Sequence, residues 1–228
     1  MIFKLSDSST LTVKPFDSIS EVAKVLTTSL TKRSVALSGG STYDKLFDAW
    51  RELKVDLSDS WYIAVDERAV DMDNPNCNWG NACQKLFKPK GVEGQCNNHY
   101  KTVETLNRLL TSQFGESEPI FDTLFLGVGD DGHTASLFPG SSSVDDMSST
   151  TLATVSPKGV KERVTLGAKV IVNAKEVITV LTGEGKASCI EWLISRDLSK
   201  PFVSILSRRG ESTLYIDREL YSLFEKSL

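Results

Sequence analysis

Short apolar runs alternate along the chain with segments whose apolar residues recur at helical spacing. The runs predict strands over residues 34–37, 61–65, 121–126, 177–181 and 213–216. The helical spacing predicts helices over residues 44–53, 78–87 and 186–194. Short apolar strands separated by helices are typical of βαβ units. The pattern therefore predicts an α/β fold with a mostly parallel sheet flanked by helices.

The segments between these elements do not divide the chain into domains. Residues 141–151 are rich in serine and aspartate, and residues 91–98 form a second predicted loop. Neither has the length or bias of a linker, and no internal repeat is present. We therefore predict one α/β domain over residues 1–228.

Polar or glycine-rich clusters follow four of the predicted strands. They are Ser38-Gly39-Gly40-Ser41-Thr42, Asp66-Glu67-Arg68, the turn from Gly127 to Thr134, and Thr182-Gly183-Glu184-Gly185-Lys186. In open parallel sheets, ligands bind in the crevice beyond the carboxyl ends of the strands. The sequence therefore predicts one site assembled from these four loops.

The first cluster has the chemistry of an anion-binding loop. Gly39 and Gly40 let backbone N–H groups approach an anion, and the hydroxyls of Ser41 and Thr42 add donors at a helix N-terminus. An ordinary turn with a Ser or Thr N-cap is the alternative. No Gly-Lys-Ser/Thr follows, so the loop is not a Walker A motif.

The third cluster matches the dinucleotide fingerprint G-x-G-x-x-G at Gly127, Gly129 and Gly132. Asp130 and Asp131 would, however, stand where a pyrophosphate must approach. No acidic residue follows about 20 positions later to bind a ribose. We therefore expect no nicotinamide cofactor, and no other cofactor is indicated.

His133, one of two histidines, lies in this turn two residues after Asp131. An imidazole is the natural general base for activating water at neutral pH, and a nearby carboxylate can fix its tautomer. A structural histidine that binds the turn backbone is the alternative. The strand-end position favours catalysis, with Asp131 orienting the ring.

The remaining candidates are charged. Asp66, Glu67 and Arg68 suit sugar hydroxyls or an anion, although a surface ion-pair cluster has the same composition. Arg163 and Lys186 stand near predicted element ends, where either can clamp a phosphate or remain a solvated charge.

Composition excludes several classes of protein. The chain has 228 residues, of which 40% are hydrophobic and 25% charged, with a formal net charge of −4. These values argue against disorder and against a nucleic-acid partner. No apolar run approaches the ~18 residues of a membrane span, and the first residues lack the basic and apolar regions of a secretory signal. We therefore expect a cytoplasmic protein without a membrane partner.

The four cysteines are irregularly spaced and form no C-x-x-C pair. Reduced thiols are the simplest interpretation. Only Cys96-x-x-His99 has familiar ligand spacing, so we expect no metal site.

Taken together, these residues resemble the 6-phosphogluconolactonase family. The resemblance rests on Ser38–Thr42, Asp66-Glu67-Arg68 with Asn78 downstream, Gly127–Pro139, Arg163-Val164-Thr165 and Gly185-Lys186-Ala187, in this order along most of the chain. The stretch Gly127–Pro139 is the specific one, and the others are weak alone.

The resemblance implies a Rossmann-like three-layer fold shared with sugar-phosphate isomerases and deaminases. It implies hydrolysis of 6-phospho-D-glucono-1,5-lactone in the oxidative pentose phosphate pathway, by a monomer without cofactor or metal. The implied catalytic residues are His133, Asp131 and Arg68. The implied substrate and phosphate contacts are Gly39, Gly40, Ser41, Thr42, Asp66, Glu67, Asn78, Gly129, Gly132, Arg163 and Lys186.

Three flanking positions depart from the family pattern. Tyr43 and Asp130 stand where proline is common, and Cys77 replaces the usual serine before Asn78. We expect them to affect loop rigidity and substrate affinity rather than the reaction.

Three other functions remain as alternatives. A glucosamine-6-phosphate deaminase usually carries Asp-Glu-Tyr at the second cluster and a glutamate after the glycine turn, and both are absent here. A non-catalytic sugar-phosphate sensor usually has a DNA-binding segment, which we do not expect here. The third alternative is an isomerase of phosphorylated sugars, which analysis of the sugar product would distinguish from a lactonase.

Overall fold

The computed structural model describes residues 1–228 and contains ten strands and nine α-helices, with three short 3-10 helices and a π-helix, Cys83–Phe87, that continues directly from Asn78–Ala82. The strands are β1 (Ile2–Lys4), β2 (Thr10–Phe16), β3 (Ser34–Leu37), β4 (Trp61–Ala64), β5 (Asp66–Arg68), β6 (Thr123–Phe125), β7 (Thr151–Val155), β8 (Glu162–Leu166), β9 (Glu176–Leu181) and β10 (Glu211–Asp217). The helices are α1 (Ile19–Val25), α2 (Thr27–Leu30), α3 (Ser41–Glu52), α4 (Asn78–Ala82), α5 (Val103–Phe114), α6 (Ala168–Asn173), α7 (Ala187–Ser195), α8 (Pro201–Ser207) and α9 (Arg218–Lys226). No helix is both long and apolar enough to span a bilayer.

Seven strands form the central sheet in the order β1-β2-β10-β9-β6-β3-β4. Only β1 runs antiparallel to its neighbour, and the other six strands are parallel. Helices flank this sheet. The predicted α/β class with a mostly parallel sheet is therefore confirmed, and all five predicted strands and three predicted helices are present within a few residues of their expected bounds.

The four strands followed by polar clusters are neighbours in this sheet, in the order β9-β6-β3-β4. From β3 the chain moves outward to β4 on one side, whereas β6 and β9 lie on the other side. This reversal between β3 and β6 is a topological switch point, the place where open α/β sheets bind ligands. The loops after β3 and β6 flank it.

A second, three-stranded antiparallel sheet of order β5-β8-β7 was not predicted. Val65 joins the two sheets, because its N–H donates to Leu37 O at 2.9 Å and its carbonyl accepts from Leu166 N–H at 3.0 Å. The Asp66-Glu67-Arg68 cluster is therefore a strand of its own rather than the end of β4. Arg163 lies inside β8, directly opposite Arg68.

The core holds α3 and the glycine turn in place. Trp50, on the buried face of α3, packs edge-on against Phe125 of β6 with ring centroids 5.4 Å apart. Its indole N–H donates to Ala23 O at 2.9 Å, which ties α3 to α1. On the other side of the site, the first turn of α8 holds the glycine turn, since Phe202 N–H donates to Gly132 O at 3.0 Å.

Candidate active site

One hydrogen bond joins the two loops at the switch point. Gly127 N–H donates to Ser38 Oγ at 2.9 Å, and Gly127 O accepts from Thr134 Oγ1 at 2.7 Å. The turn between Gly127 and Thr134 is closed by Gly129 N–H, which donates to His133 O at 2.8 Å. The loop after β3 and the glycine turn are therefore fixed relative to each other.

His133 and Asp131 form a close pair in this turn. The His133 ring nitrogen Nδ1 lies 2.5 Å from Asp131 Oδ1, and the same oxygen accepts from His133 backbone N–H at 3.0 Å. An ionised carboxylate only accepts hydrogen bonds, so Nδ1 carries the proton and Nε2 keeps its lone pair. The His133 side chain is 34% exposed, which leaves the ring accessible to solvent.

The Asp131 carboxyl is suited to accept the hydrogen bond from His133 Nδ1. Burial raises its pKa, but the hydrogen bonds from the His133 backbone and ring outweigh burial, so the pKa lies below its ordinary value. Asp131 therefore stays ionised at neutral pH and holds the imidazole through a charged acceptor.

Gly129 provides the surface against which the imidazole lies. A Cβ at position 129 would fall 2.0 Å from His133 Cε1 and 2.2 Å from Nδ1, so no side chain fits there. Ala135, which follows the turn, has a φ of 51°, a left-handed conformation that is unfavourable for alanine. Position 129 therefore requires glycine so that the imidazole can lie against the backbone. The backbone is strained at Ala135, directly after the turn.

Two adjoining cavities form a cleft at the switch point. The His133 cavity, of about 160 Å³, is lined by His133, Arg68, Ala135 and the glycine-rich segments 38–40 and 127–129. The Lys186 cavity, of about 220 Å³, is lined by the start of α3, Val128, Asp130 and Lys186, among others. Both cavities share Gly39, Gly40, Gly127 and Val128 as walls. A small elongated molecule can therefore reach both cavities at once.

The Lys186 cavity has the properties of an anion site. Gly39 and Gly40 donate no backbone hydrogen bond within the protein, and Ser41 and Thr42 begin the twelve-residue helix α3. The first N–H groups of a helix lack intrahelical acceptors and carry the positive end of its dipole. The ammonium of Lys186 lies in the same cavity. Backbone N–H donors, two hydroxyls and one cation thus line the same cavity, and all three are groups that bind anions.

Arg68 is the cation of the His133 cavity. Its Nη1 donates to Asn76 O at 2.6 Å, whereas its Nε is buried without a hydrogen-bond partner. Arg163 lines neither cavity; it lies opposite Arg68 and donates through Nε to Val160 O at 2.9 Å. Burial, and then the charge of Arg68, lower the pKa of Arg163. The structure thus brings Arg163 to Arg68 rather than to Lys186.

Asp66, Glu67 and Asn78 lie behind the cleft and do not line it. Asp66 is buried and accepts from Ser136 Oγ at 2.6 Å. Asn78 donates from Nδ2 to Asp66 O at 2.9 Å. A Cβ at Gly39 would fall 2.1 Å from Asn78 Oδ1, so Asn78 is packed directly beneath the loop after β3. These residues support the cleft from below.

Glu67 anchors the start of α4 and the strand β5. Its Oε1 accepts from the N–H groups of Arg68 and Asn78 at 2.7 and 2.8 Å, and its Oε2 accepts from Trp79 N–H at 2.7 Å. Burial raises the pKa of Glu67 in spite of these donors. A fully buried carboxylate with several donors fixes the backbone that carries Arg68.

Cys77 completes the Glu67 network. Its thiol donates to Glu67 Oε2 at 3.3 Å and accepts from Gly80 N–H at 3.2 Å as the N-cap of α4. Burial, and then the charge of Glu67, raise the pKa of this thiol to about 12, so it stays protonated. His99 also lies close, with one ligand atom from each of the three residues within 4.8 Å of the others. Since both carboxylate oxygens already accept two hydrogen bonds each, we assign this cluster to hydrogen bonding.

Two features of the cleft were not predicted from the residues. The hydroxyl of Tyr43 is buried without a partner beside the Lys186 cavity, and burial raises its pKa. The carboxylate of Asp130 pairs with Lys186. The only sign of these features in the sequence was that Tyr43 and Asp130 stand where proline is common in the family.

The tautomer of His133 is a direct test of this geometry. In ¹⁵N-labelled protein at a pH where the ring is neutral, we expect NMR to show Nδ1 protonated and Nε2 unprotonated, because Asp131 accepts from Nδ1. Asp131→Ala is expected to give a mixture of both tautomers. A wild-type ring protonated at Nε2 would contradict the assigned hydrogen bond.

The cap at Cys77 is tested by two matched variants. Cys77→Ser keeps both an acceptor for Gly80 N–H and a donor to Glu67, and we expect its stability within ~0.5 kcal/mol of wild type. Cys77→Ala removes both and is expected to lose about 1–3 kcal/mol in the free energy of unfolding, measured by urea denaturation. Equal losses in the two variants would show that the thiol acts only by packing.

Comparisons with known proteins agree with this architecture. Residues 6–214 match the family model described as glucosamine-6-phosphate isomerases/6-phosphogluconolactonase. The chain is 30% identical over 217 residues to 6-phosphogluconolactonase 4 of Saccharomyces cerevisiae, covering 85% of each chain.

Solved structures show the same fold. A 6-phosphogluconolactonase from Trypanosoma cruzi superposes with a TM-score of 0.77 at 25% identity, over 97% of this chain and 98% of that one. A monomeric glucosamine-6-phosphate deaminase has a TM-score of 0.75 at 20% identity, covering 93% of this chain and 99% of that one, a likeness of fold alone. With the family model spanning nearly the whole length, the chain belongs to the glucosamine-6-phosphate isomerase/6-phosphogluconolactonase family.

Proposed function

We propose that this chain is a 6-phosphogluconolactonase, which hydrolyses 6-phospho-D-glucono-1,5-lactone to 6-phospho-D-gluconate. One observation carries the proposal: an imidazole with a free Nε2, held by a carboxylate, lines a cleft that continues into an anion site. The relative in yeast and the structure from Trypanosoma cruzi, both described as 6-phosphogluconolactonases, support this choice within the family.

The phosphate of the substrate would bind in the Lys186 cavity. Gly39, Gly40, Ser41 and Thr42 would supply backbone and hydroxyl donors, and Lys186 would supply the charge. A doubly charged group remote from the reacting carbon can anchor the whole sugar, so that binding energy there orients the lactone carbonyl.

The reaction would occur in the His133 cavity. Nε2 of His133 takes a proton from water as the water oxygen forms a bond to C1 of the lactone. The imidazolium that results is stabilised by Asp131. When the bond from C1 to the ring oxygen breaks, the imidazolium returns the proton to that oxygen, which leaves the open-chain acid. A lactone is an activated ester, and this sequence uses no covalent enzyme intermediate.

Arg68 would stabilise the tetrahedral oxyanion. Arg68 lines the cavity together with His133, and its Nε is a buried donor without a partner. Such a donor gains most when negative charge develops near it. Arg163 would add positive charge behind Arg68, whereas Asp66, Glu67 and Asn78 would position the strand that carries it.

The deaminase alternative differs at the residues around His133. Phe138 lies against the imidazole with ring centroids 5.1 Å apart, and Ser136 turns back to Asp66. Asp131 is the carboxylate that contacts the His133 ring. We therefore expect no ammonia release from glucosamine 6-phosphate, measured beside lactone hydrolysis in the same preparation.

The general base is tested by His133→Ala. We expect this variant to keep its fold, measured by circular dichroism, and to lose about 10²–10⁴-fold in turnover of freshly generated 6-phosphogluconolactone, corrected for spontaneous opening. His99→Ala, which alters the histidine outside the cleft, serves as the comparison, and its fold is measured in the same way because His99 adjoins Glu67 and Cys77. Turnover close to wild type in His133→Ala would refute the assignment.

The phosphate site is tested by Lys186→Met with two substrates. Loss of a charged donor should raise KM for 6-phosphogluconolactone by a factor of about 10–100, equivalent to about 1.4–2.8 kcal/mol. Hydrolysis of unphosphorylated D-glucono-1,5-lactone should change little, because that substrate has no phosphate to lose contact with. An equal effect on both substrates would place Lys186 elsewhere in the mechanism.

A further inference from the structure

Lys186 is already paired within the chain. Its Nζ donates to Asp130 Oδ1 at 2.7 Å and to Val128 O at 2.9 Å, which uses two of the three ammonium donors. The Lys186 side chain is only 19% exposed, whereas that of Asp130 is 87% exposed. The lysine is therefore held inside the cavity by a carboxylate that reaches in from solvent.

The pair controls the charge of the Lys186 cavity. Asp130 and Lys186 are the only charged residues that line it; the other walls are glycines, Ser41, Thr42, Tyr43 and apolar residues. With the two charges paired, the free cavity offers an anion backbone and hydroxyl donors but no uncompensated cation. An entering phosphate meets a like charge a few ångströms from the ammonium.

We propose that Asp130 competes with the substrate phosphate for Lys186 and thereby sets the affinity of the Lys186 cavity for phosphate. This inference rests on the proposed function and deepens it. In the free protein the Asp130 carboxylate forms an ion pair with the Lys186 ammonium. Binding of a phosphate dianion moves the carboxylate back into solvent, and release of the product lets it return.

A phosphate dianion can displace the Asp130 carboxylate from Lys186. A phosphate dianion brings two charges and three terminal oxygens to Lys186 and the α3 N-terminus, and it can displace a single carboxylate. The Asp130 side chain is mostly hydrated already, so breaking its ion pair with Lys186 costs little free energy. Every anion that needs the ammonium must displace the same carboxylate, so Asp130 lowers the affinity of the Lys186 cavity for all of them by a common factor.

The test measures binding rather than turnover. Isothermal titration of inorganic phosphate and of 6-phosphogluconate is compared for wild type, Asp130→Asn, Lys186→Met and the double variant. Asparagine keeps the shape and an acceptor for Lys186 but removes the charge. We expect Asp130→Asn to lower Kd for both ligands by about 2- to 10-fold. In the Lys186→Met background the same change should have no effect, as a double-mutant cycle would show.

A matched control is available in the loop that enters β6. Glu118 is an exposed carboxylate paired with Lys169 and precedes the amino end of β6, whereas the cleft lies beyond the carboxyl ends of the strands. Glu118→Gln removes the same charge from the protein, and we expect no change in Kd. Asp130→Ala provides a second cleft variant, which should also bind phosphate more tightly if the carboxylate charge is the cause.

Several outcomes would overturn the proposal. If Asp130→Asn and Asp130→Ala bind phosphate with unchanged or weaker affinity, Asp130 does not compete. If Asp130→Asn tightens binding equally in the Lys186→Met background, the effect is general repulsion and not competition for the lysine. If wild type neither binds 6-phosphogluconate nor hydrolyses the lactone, the proposed function itself fails, and the Asp130 proposal falls with it.

Discussion

The imidazole of His133 occupies the space in which any other residue at position 129 would place its Cβ. This close approach needs a glycine, a tight turn closed by hydrogen bonds, and a fixed neighbouring loop. Ser38 fixes that loop through Gly127, and α8 holds the turn from outside through Gly132. The placement of one ring therefore depends on the strand order of the sheet, because β3 and β6 must be neighbours for the two loops to meet.

Carboxylates perform different tasks according to their burial. Glu67, fully buried, binds backbone N–H groups and carries the strand on which Arg68 lies. Asp131, partly exposed, binds the imidazole that we propose as the general base. Asp130, on the surface, pairs with Lys186, for which we propose phosphate as a second partner. Burial makes the first contact permanent, since a lost partner would leave an unpaired buried charge, whereas hydration keeps the third exchangeable.

The sequence predicted the strands that meet at the cleft because β3, β4, β6 and β9 are apolar and a polar cluster follows each of them within a few residues. It did not reveal the second sheet. β5 has only three residues and follows β4 after the single residue Val65, so the pattern has no turn between them. β7 exposes alternate residues, including Val155, and lacks the continuous apolar run of a central strand. The opposition of Arg163 to Arg68 depends on this sheet, and spacing along the chain cannot show it.

The two ends of the cleft are joined by a short stretch of backbone. Lys186 donates to Val128 O, and Val128 precedes the glycine on which the imidazole rests. A phosphate that draws Lys186 toward itself must therefore either keep this hydrogen bond or release a carbonyl in the cleft that also holds His133. Keeping it is the less costly choice, because Val128 lines the cleft and an unpaired carbonyl there would face the anion. In the proposed function Lys186 therefore keeps its bond to Val128 when phosphate binds, and the exchangeable partner is Asp130.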